Sequence, residues 1–351
     1  MKRFFDLLSK DYFIVIPVVL LIVISVFTLR SLAPEIFPSY LLFILAGLVL
    51  FIFSSALDFE IYYAFSKHFY ILSIFFLALP LIIGQVTRGS IRWINLGDLT
   101  IQPSEIIRPF LILYVARFLT QENIDLKRLF KLLFTMALPL FMILVQPSLG
   151  VTVLTFFGFL GAMLATSIEK KYFALGAVIF IAIMPIVWHI LEPYQRERVT
   201  SFINPEADPY GSGYNSIQSM ISVGSGGLLG RGLGLGVQTQ LKFLPEKHSD
   251  FVFAAISEEM GFVGACFILF LYYLIFAYIV RSINNSRSYV ARVFGTGLFM
   301  TYFVQVVIHI GMNMGMFPIT GVPLPLVSAG GSSFISTMLG LGLLVSANKR
   351  S

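Results

Sequence analysis

Long apolar runs separated by short polar breaks dominate this chain, and they set its architecture. About twenty apolar residues in a helix cover the roughly 30 Å of a bilayer's hydrocarbon. Only helices or closed barrels satisfy their own backbone polar groups there. The runs predict an all-α polytopic membrane protein with about ten transmembrane helices. They are Tyr12–Leu29, Tyr40–Leu57, Phe69–Gly84, Ile106–Leu119, Leu132–Val145, Val151–Ile168, Tyr172–Ile190, Phe251–Val280, Tyr289–Met312 and Ser333–Ala347. The fifth and sixth are separated only by QPSLG, Gln146 to Gly150. The eighth is too long for one straight span, about 45 Å if helical throughout. It must tilt, bend near Gly261 and Gly264, or begin above the hydrocarbon. No convincing small-residue cleavage site follows the first run, so it reads as a retained helix rather than a secretory signal.

One hydrophilic region interrupts the pattern, residues 191–250, rich in Gly, Pro, Ser and charge. It is too short for a domain of its own and long for a mere connection, and such loops are usually functional or disordered. Its scattered aromatics argue for order. The chain therefore reads as a single integral-membrane domain over residues 1–351 with one large loop between the seventh and eighth helices.

Composition agrees. The chain is 57% hydrophobic and 12% charged, against roughly 25% charged in soluble domains. Its net charge of +6 reports topology rather than nucleic-acid binding. With the amino terminus inside, Lys2, Arg3, Lys67, Arg117, Lys127, Arg128, Lys170, Lys171, Arg281 and Arg292 fall on the cytoplasmic side, while short outer loops carry chiefly Arg30, Arg88 and Arg92. Both termini are then cytoplasmic and the 191–250 loop is extracytoplasmic. The single cysteine, Cys266, excludes an internal disulfide and a cysteine-based metal site.

Ionisable groups stand out against this background, because each costs on the order of 2.5–3.5 kcal/mol at membrane depth. FLPEKHSDFVFAAISEEMGF, Phe243 to Phe262, sets Lys247, His248, Ser249 and Asp250 against the start of the eighth run. Asp250 is either the amino-terminal cap of that helix or a general base at the water–lipid boundary. With a reference pKa of about 3.9 it is ionised at neutral pH and ready to take a proton. Lys242, Lys247 and His248 would help keep it charged. Glu259 lies on the opposite face of that helix and reads as a packing or pairing residue.

The run GSGGLLGRGLGLG, Gly224 to Gly236, suits close backbone approach, and Arg231 within it keeps anion contact open. It lacks a phosphate-loop lysine signature and the strand–turn–helix setting of a dinucleotide site. In GSIRWINLGDLTIQPSEIIRPF, Gly89 to Phe110, Gln102 fits a helix cap, Pro103 the first helical position and Glu105 the third. Glu105 and Arg108 share a face. They read either as a buried ion pair or as a charged wall on which Arg108 meets phosphate oxygens. NMGMFPITGVPLPLVSAGGSS, Asn313 to Ser333, requires irregular backbone, which survives at that depth only inside protein or beside a wet cavity. His189 and His309 read as satisfied helix residues rather than metal ligands.

Four blocks in order resemble the SEDS family (shape, elongation, division and sporulation proteins), the RodA/FtsW-like group. They are RWINLGDLTIQPSE, GYNSIQSMISVGSGGLLGRGLG, FLPEKHSDFVFAAISEEMG and PITGVPLPLVSAGGSS. The resemblance covers nearly the whole chain. It implies a peptidoglycan glycosyltransferase of the bacterial cytoplasmic membrane that polymerises lipid II, with Asp250 as the essential aspartate. The family glutamate maps to Glu105 and the basic residue three later to Arg108, where lysine is common. Ser148 departs from the pattern, since the family usually has aspartate there. The implied chemistry is inverting transfer, with Asp250 taking the proton of an acceptor hydroxyl. Substrate-binding roles then fall to Arg92, Glu105, Arg108, Arg196, Arg198, Lys242, His248 and Ser249. The resemblance admits a divalent cation, Mg²⁺ or Mn²⁺. It implies a class B penicillin-binding protein as partner, beside lipid II, the growing glycan strand and membrane lipids. Two other classes use the same residues: a flippase for lipid-linked precursors and a noncatalytic scaffold for a transpeptidase. Neither inverted repeats nor strings of ionisable residues through successive helices support transport.

Overall fold

The computed structural model describes residues 12–83, 91–97, 99–122, 125–190, 193–241 and 243–348. Its first half holds α1 (Tyr12–Leu32), α2 (Phe37–Ala56), α3 (Phe59–Ile83), α4 (Pro103–Ile106), α5 (Arg108–Thr120), α6 (Leu126–Val145) and α7 (Leu149–Leu164). Its second half holds α8 (Lys170–Ile190), α9 (Pro193–Ile203), α10 (Tyr214–Ser225), α11 (Val237–Gln240), α12 (Val252–Asn285), α13 (Tyr289–Asn313) and α14 (Gly331–Asn348). The expected apolar segments fall mainly within these helices, but the fourth straddles α4 and α5 and the sixth runs past the end of α7 at Leu164. Seven of them, α1, α2, α3, α6, α12, α13 and α14, are long and apolar enough to cross a membrane, and α7 is apolar but shorter.

The sequence did not anticipate two features. A short antiparallel hairpin, β1 (Ile94–Leu96) and β2 (Leu99–Ile101), pairs Ile94 with Ile101. The hydrophilic 191–250 region contains α9, α10 and α11, and α10 packs along α12.

Burial orders the bundle. The most apolar window of α14 is 89% buried, and that of α3 only 22%. So α14 is the central helix, packed on α2 and on α4, and α3 is the most exposed of these helices. The α7–α13 pair closes backbone on backbone: a Cβ on Gly297 would lie 2.9 Å from the Gly158 carbonyl oxygen. Small residues allow such approach where no hydrophobic drive exists between helices.

The long α12 bends where the sequence suggested. Gly261 has φ 67° and ψ −165°, a conformation open essentially to glycine alone. A break in a buried helix strands backbone groups that must find partners. The glycine-rich run supplies them. Phe262 and Val263 N–H donate to the Gly227 and Leu228 carbonyls at 2.8 and 3.1 Å, and Arg231 and Gly232 N–H donate to the Glu258 and Glu259 carbonyls, both at 3.0 Å. Most of these glycines thus serve packing, as one of the two sequence readings held.

Candidate active site

The polar corner at the head of α12 is built from a tight turn. Glu246 adopts φ 51°, and its carbonyl accepts from Ser249, Asp250 and Phe251 N–H at 3.1, 3.1 and 3.4 Å. Its carboxylate accepts from Ser249 Oγ at 3.1 Å and lies 3.5 Å from His248 Nε2. His248 and Ser249 therefore both meet Glu246 within the turn.

Three successive carbonyls of this corner are gripped from elsewhere. His248 O accepts from Ala329 N at 2.9 Å, Ser249 O from Ser328 Oγ at 2.7 Å, and Asp250 O from Asn313 Nδ2 at 3.0 Å. The irregular Pro- and Gly-rich stretch before α14 is thus a cradle for the corner. Asp250 does not cap α12. The helix begins at Val252, and the Ala254 N–H that a capping side chain would take donates to Asn313 Oδ1 at 3.0 Å.

The corner opens on a cleft of about 330 Å³ lined by Asp250, Glu246, Glu197, Arg198, Ser212 and Asn215, with Phe251 and Ile319 as its apolar part. Arg198 lies at this cleft as expected. Arg196 does not: its Nη2 donates to the His189 carbonyl at 2.6 Å, which ties it to the end of α8. Lys242 lies outside the described residues. Arg92 stacks on Trp93 at 5.7 Å.

Glu105 and Arg108 are 3% and 2% exposed. The Gln102 side chain makes no cap bond; its Nε2 donates to Ser104 Oγ and Ser148 Oγ at 3.1 and 3.2 Å. Ser148 is therefore a neutral hydrogen-bond partner, and no ion pair forms through it. Arg108 reaches Gln305 Oε1 at 3.4 Å, and its Nε and Nη2 are buried without a hydrogen-bond partner. No Glu105–Arg108 contact within 4.0 Å occurs among the described residues, so the expected close ion pair is absent. The two still sense each other. Burial pushes the Glu105 carboxyl up to about 6, while Arg108 and then Arg92 pull it back and Asp250 adds to the rise. Asp250, Glu105, Arg108 and Arg92 thus share one electrostatic neighbourhood.

The remaining acidic pair has other work. Glu258 accepts from Gln238 and Thr239 N–H at 2.9 and 3.1 Å, capping α11 from outside it. Glu259 accepts from Gly234 N–H at 3.0 Å. Among the described residues no three His, Cys, Asp or Glu side chains gather as a metal site. Asp250 and Glu246 are the carboxylates of this corner that would hold a divalent cation, which would supply positive charge at the cleft.

Sequence reasoning missed Gln305 and Asn313. With His309 they form a polar ladder along one face of α13. His309 Nδ1 donates to the Val322 carbonyl at 2.7 Å, and its Nε2 is buried without a partner, so the residue is only half satisfied. Polar residues at i, i+4, i+8 in an apolar helix were the available signal.

Comparison with known proteins identifies relatives over nearly the whole chain. The family model for cell cycle proteins of the FtsW, RodA and SpoVE type matches residues 5–351. The peptidoglycan glycosyltransferase MrdB of Escherichia coli (strain K12) is 37% identical over 303 residues, 86% of this chain and 82% of its own length. The probable peptidoglycan glycosyltransferase FtsW of Coxiella burnetii is 33% identical over 318 residues, 88% of this chain and 85% of that protein. The solved rod shape determining protein RodA of Thermus thermophilus superposes with a TM-score of 0.73 at 26% identity, covering 96% of this chain and 95% of that one. A chain of a peptidoglycan synthase complex, described as structurally coordinating polymerization and crosslinking, gives 0.85 at 28% identity, covering 97% and 98%.

Proposed function

This chain belongs to the FtsW/RodA/SpoVE family, and we propose that Asp250 is the general base of its glycosyl transfer. It is a multi-pass membrane peptidoglycan glycosyltransferase. On this reading it works as one integral-membrane unit whose 191–250 loop faces outward and carries the site. Its substrate is lipid II. Asp250 takes the proton from the acceptor's GlcNAc 4-hydroxyl as that oxygen bonds to the anomeric carbon of the donor MurNAc. The bond from that carbon to the pyrophosphate breaks with inversion, and its electron pair leaves on undecaprenyl pyrophosphate. Positioned proton abstraction is typically worth about 10²–10⁴-fold. Charge grows on the leaving group, and fixed cations there lower the barrier. Arg198 at the cleft, with Arg92 and the unpartnered N–H groups of Arg108 deeper in, suits that task. A bound divalent cation would add to the same neutralisation.

One observation carries the reading. Asp250 lines a polar cleft with Arg198, beside Glu246 and Glu197, and the carbonyls of His248, Ser249 and Asp250 are each held by another segment. The partner on this reading is a class B penicillin-binding protein, docked by its membrane helix near α12 and α13. There α12 presents Phe262, Val263, Phe270 and Tyr273 outward.

Purified protein with labelled lipid II tests the proposal. Polymer from the wild type and none from folded Asp250→Asn is the expected result. Polymer from both at one rate would remove Asp250 as the base, and translocation that survives the change would favour the flippase.

A further inference from the structure

We propose that residues 228–241, although part of the hydrophilic 191–250 region, sit in the bilayer, with their leucine edge among the acyl chains of the leaflet on that side. The run has two faces. Its glycines press on α12: a Cβ on Gly226 or Gly230 would run into the Ser257 or Glu259 carbonyl, and one on Gly236 into the Glu258 carboxylate. The leucines turn the other way. Leu228, Leu229, Leu233, Leu235 and Leu241 are between 55% and 80% exposed. Soluble surfaces rarely show so many large apolar side chains in one short stretch, and such a patch marks contact with a partner or a membrane.

The depth of the run favours the membrane. Its Gly227 and Leu228 carbonyls accept from Phe262 and Val263 N–H, which open the shaft of α12, a helix apolar and long enough to span. The Phe262 and Val263 side chains are themselves exposed, so apolar groups of both segments flank this junction. On its other side, Gly234 N–H and Ser31 Oγ share Glu259 Oε1 at 3.0 and 3.4 Å. That places the run beside the last turn of α1, a second helix of spanning length. Charge agrees. Residues 224–241 carry one charged residue, Arg231, against six in 191–223, so the aqueous character of the region stops where the leucines begin. Arg231 is exposed, and an arginine on such an edge keeps its stem among apolar groups while its guanidinium reaches the phosphate layer. Irregular backbone at membrane depth survives only when protein satisfies its polar groups. Here the N–H groups of Arg231, Gly232, Gly234, Gln238 and Thr239 are all taken by a carbonyl or carboxylate of Glu258 or Glu259.

Two measurements on the whole chain in phosphatidylcholine nanodiscs test the proposal. In the first, unaltered protein is irradiated with a phospholipid carrying a carbene precursor partway along one acyl chain. Adducts are expected on residues 228–241 and on the shaft of α12, and none around the exposed Tyr210. In the second, Cys266→Ser removes the single cysteine, and Leu229→Cys, Leu235→Cys, Phe270→Cys and Tyr210→Cys each carry a nitroxide, after a check that Tm is unchanged. Collisions with a water-soluble nickel complex are expected to be lost at 229 and 235 as at 270, the shaft reference, and kept at 210, the aqueous one. Nickel collisions at 229 and 235 equal to those at 210, with no adducts on the run, overturn the proposal. Lost nickel collisions with dipolar broadening between labels and no adducts also overturn it, and give the face to a second copy. Neither measurement uses lipid II or Asp250, so the result stands apart from the catalytic reading.

Discussion

Asp250 and Glu258 stand eight positions apart at the head of one helix, and the protein holds them by opposite means. Both Glu258 oxygens are consumed by backbone donors of α11. Asp250 is fixed through its main chain, with the carbonyls of His248, Ser249 and Asp250 each bound by another segment. A carboxylate saturated by protein donors builds structure. Asp250, by contrast, lines the cleft from a main chain that other segments hold in place.

Isosteric changes at the two positions test that contrast most severely. Asp250→Asn should lower polymerisation by about 10²–10⁴-fold and leave thermal unfolding nearly unmoved. Glu258→Gln should do the reverse. It turns an amide N–H₂ toward a backbone donor and costs about 1–3 kcal/mol, seen as a lower Tm, while activity per folded molecule stays close to wild type. If both changes struck activity alone, the division between the two carboxylates would be wrong.

Glu105 sharpens the comparison from a third side, as a buried carboxyl without the donors that Glu258 enjoys. Burial raises it from 4.5 to about 6 in the folded protein. Between those values the folded chain keeps a proton that the unfolded chain has released, so stability falls as pH rises through the window and is level above it. The whole fall amounts to about 2 kcal/mol. Unfolding followed from well below to well above this window should show it in wild type and lose it in Glu105→Gln. The smallest expected effect belongs to Arg198→Ala at the cleft. KM for lipid II should rise by about fivefold, on the order of 1 kcal/mol, and the difference should narrow as salt is added.

The bundle was legible because apolar runs of bilayer length leave helices as the simplest solution. Boundaries failed where polarity and helicity part company. The third helix begins at Phe59 rather than Phe69, since Glu60, Ser66, Lys67 and His68 end the apolar run but not the helix. Helices α9 and α10 were hidden for the same reason, being too polar to register as spans. The site was legible as residue types and not as pairings. Asp250 was marked as cap or base, and the cap turned out to be Asn313, whose meeting with Ala254 brings together positions 59 apart. Glu105 and Arg108 do share a face, yet the guanidinium goes to Gln305 on another helix. No single segment encodes such choices.

The break at Gly261 makes α12 two objects in mechanical series. The longer shaft after the break is apolar and of membrane-spanning length. The upper stub is stitched to the glycine-rich run and to Asn313. The glycine-rich run holds the chain on both sides of the break, so the end of α12 next to Asp250 takes its direction from that run.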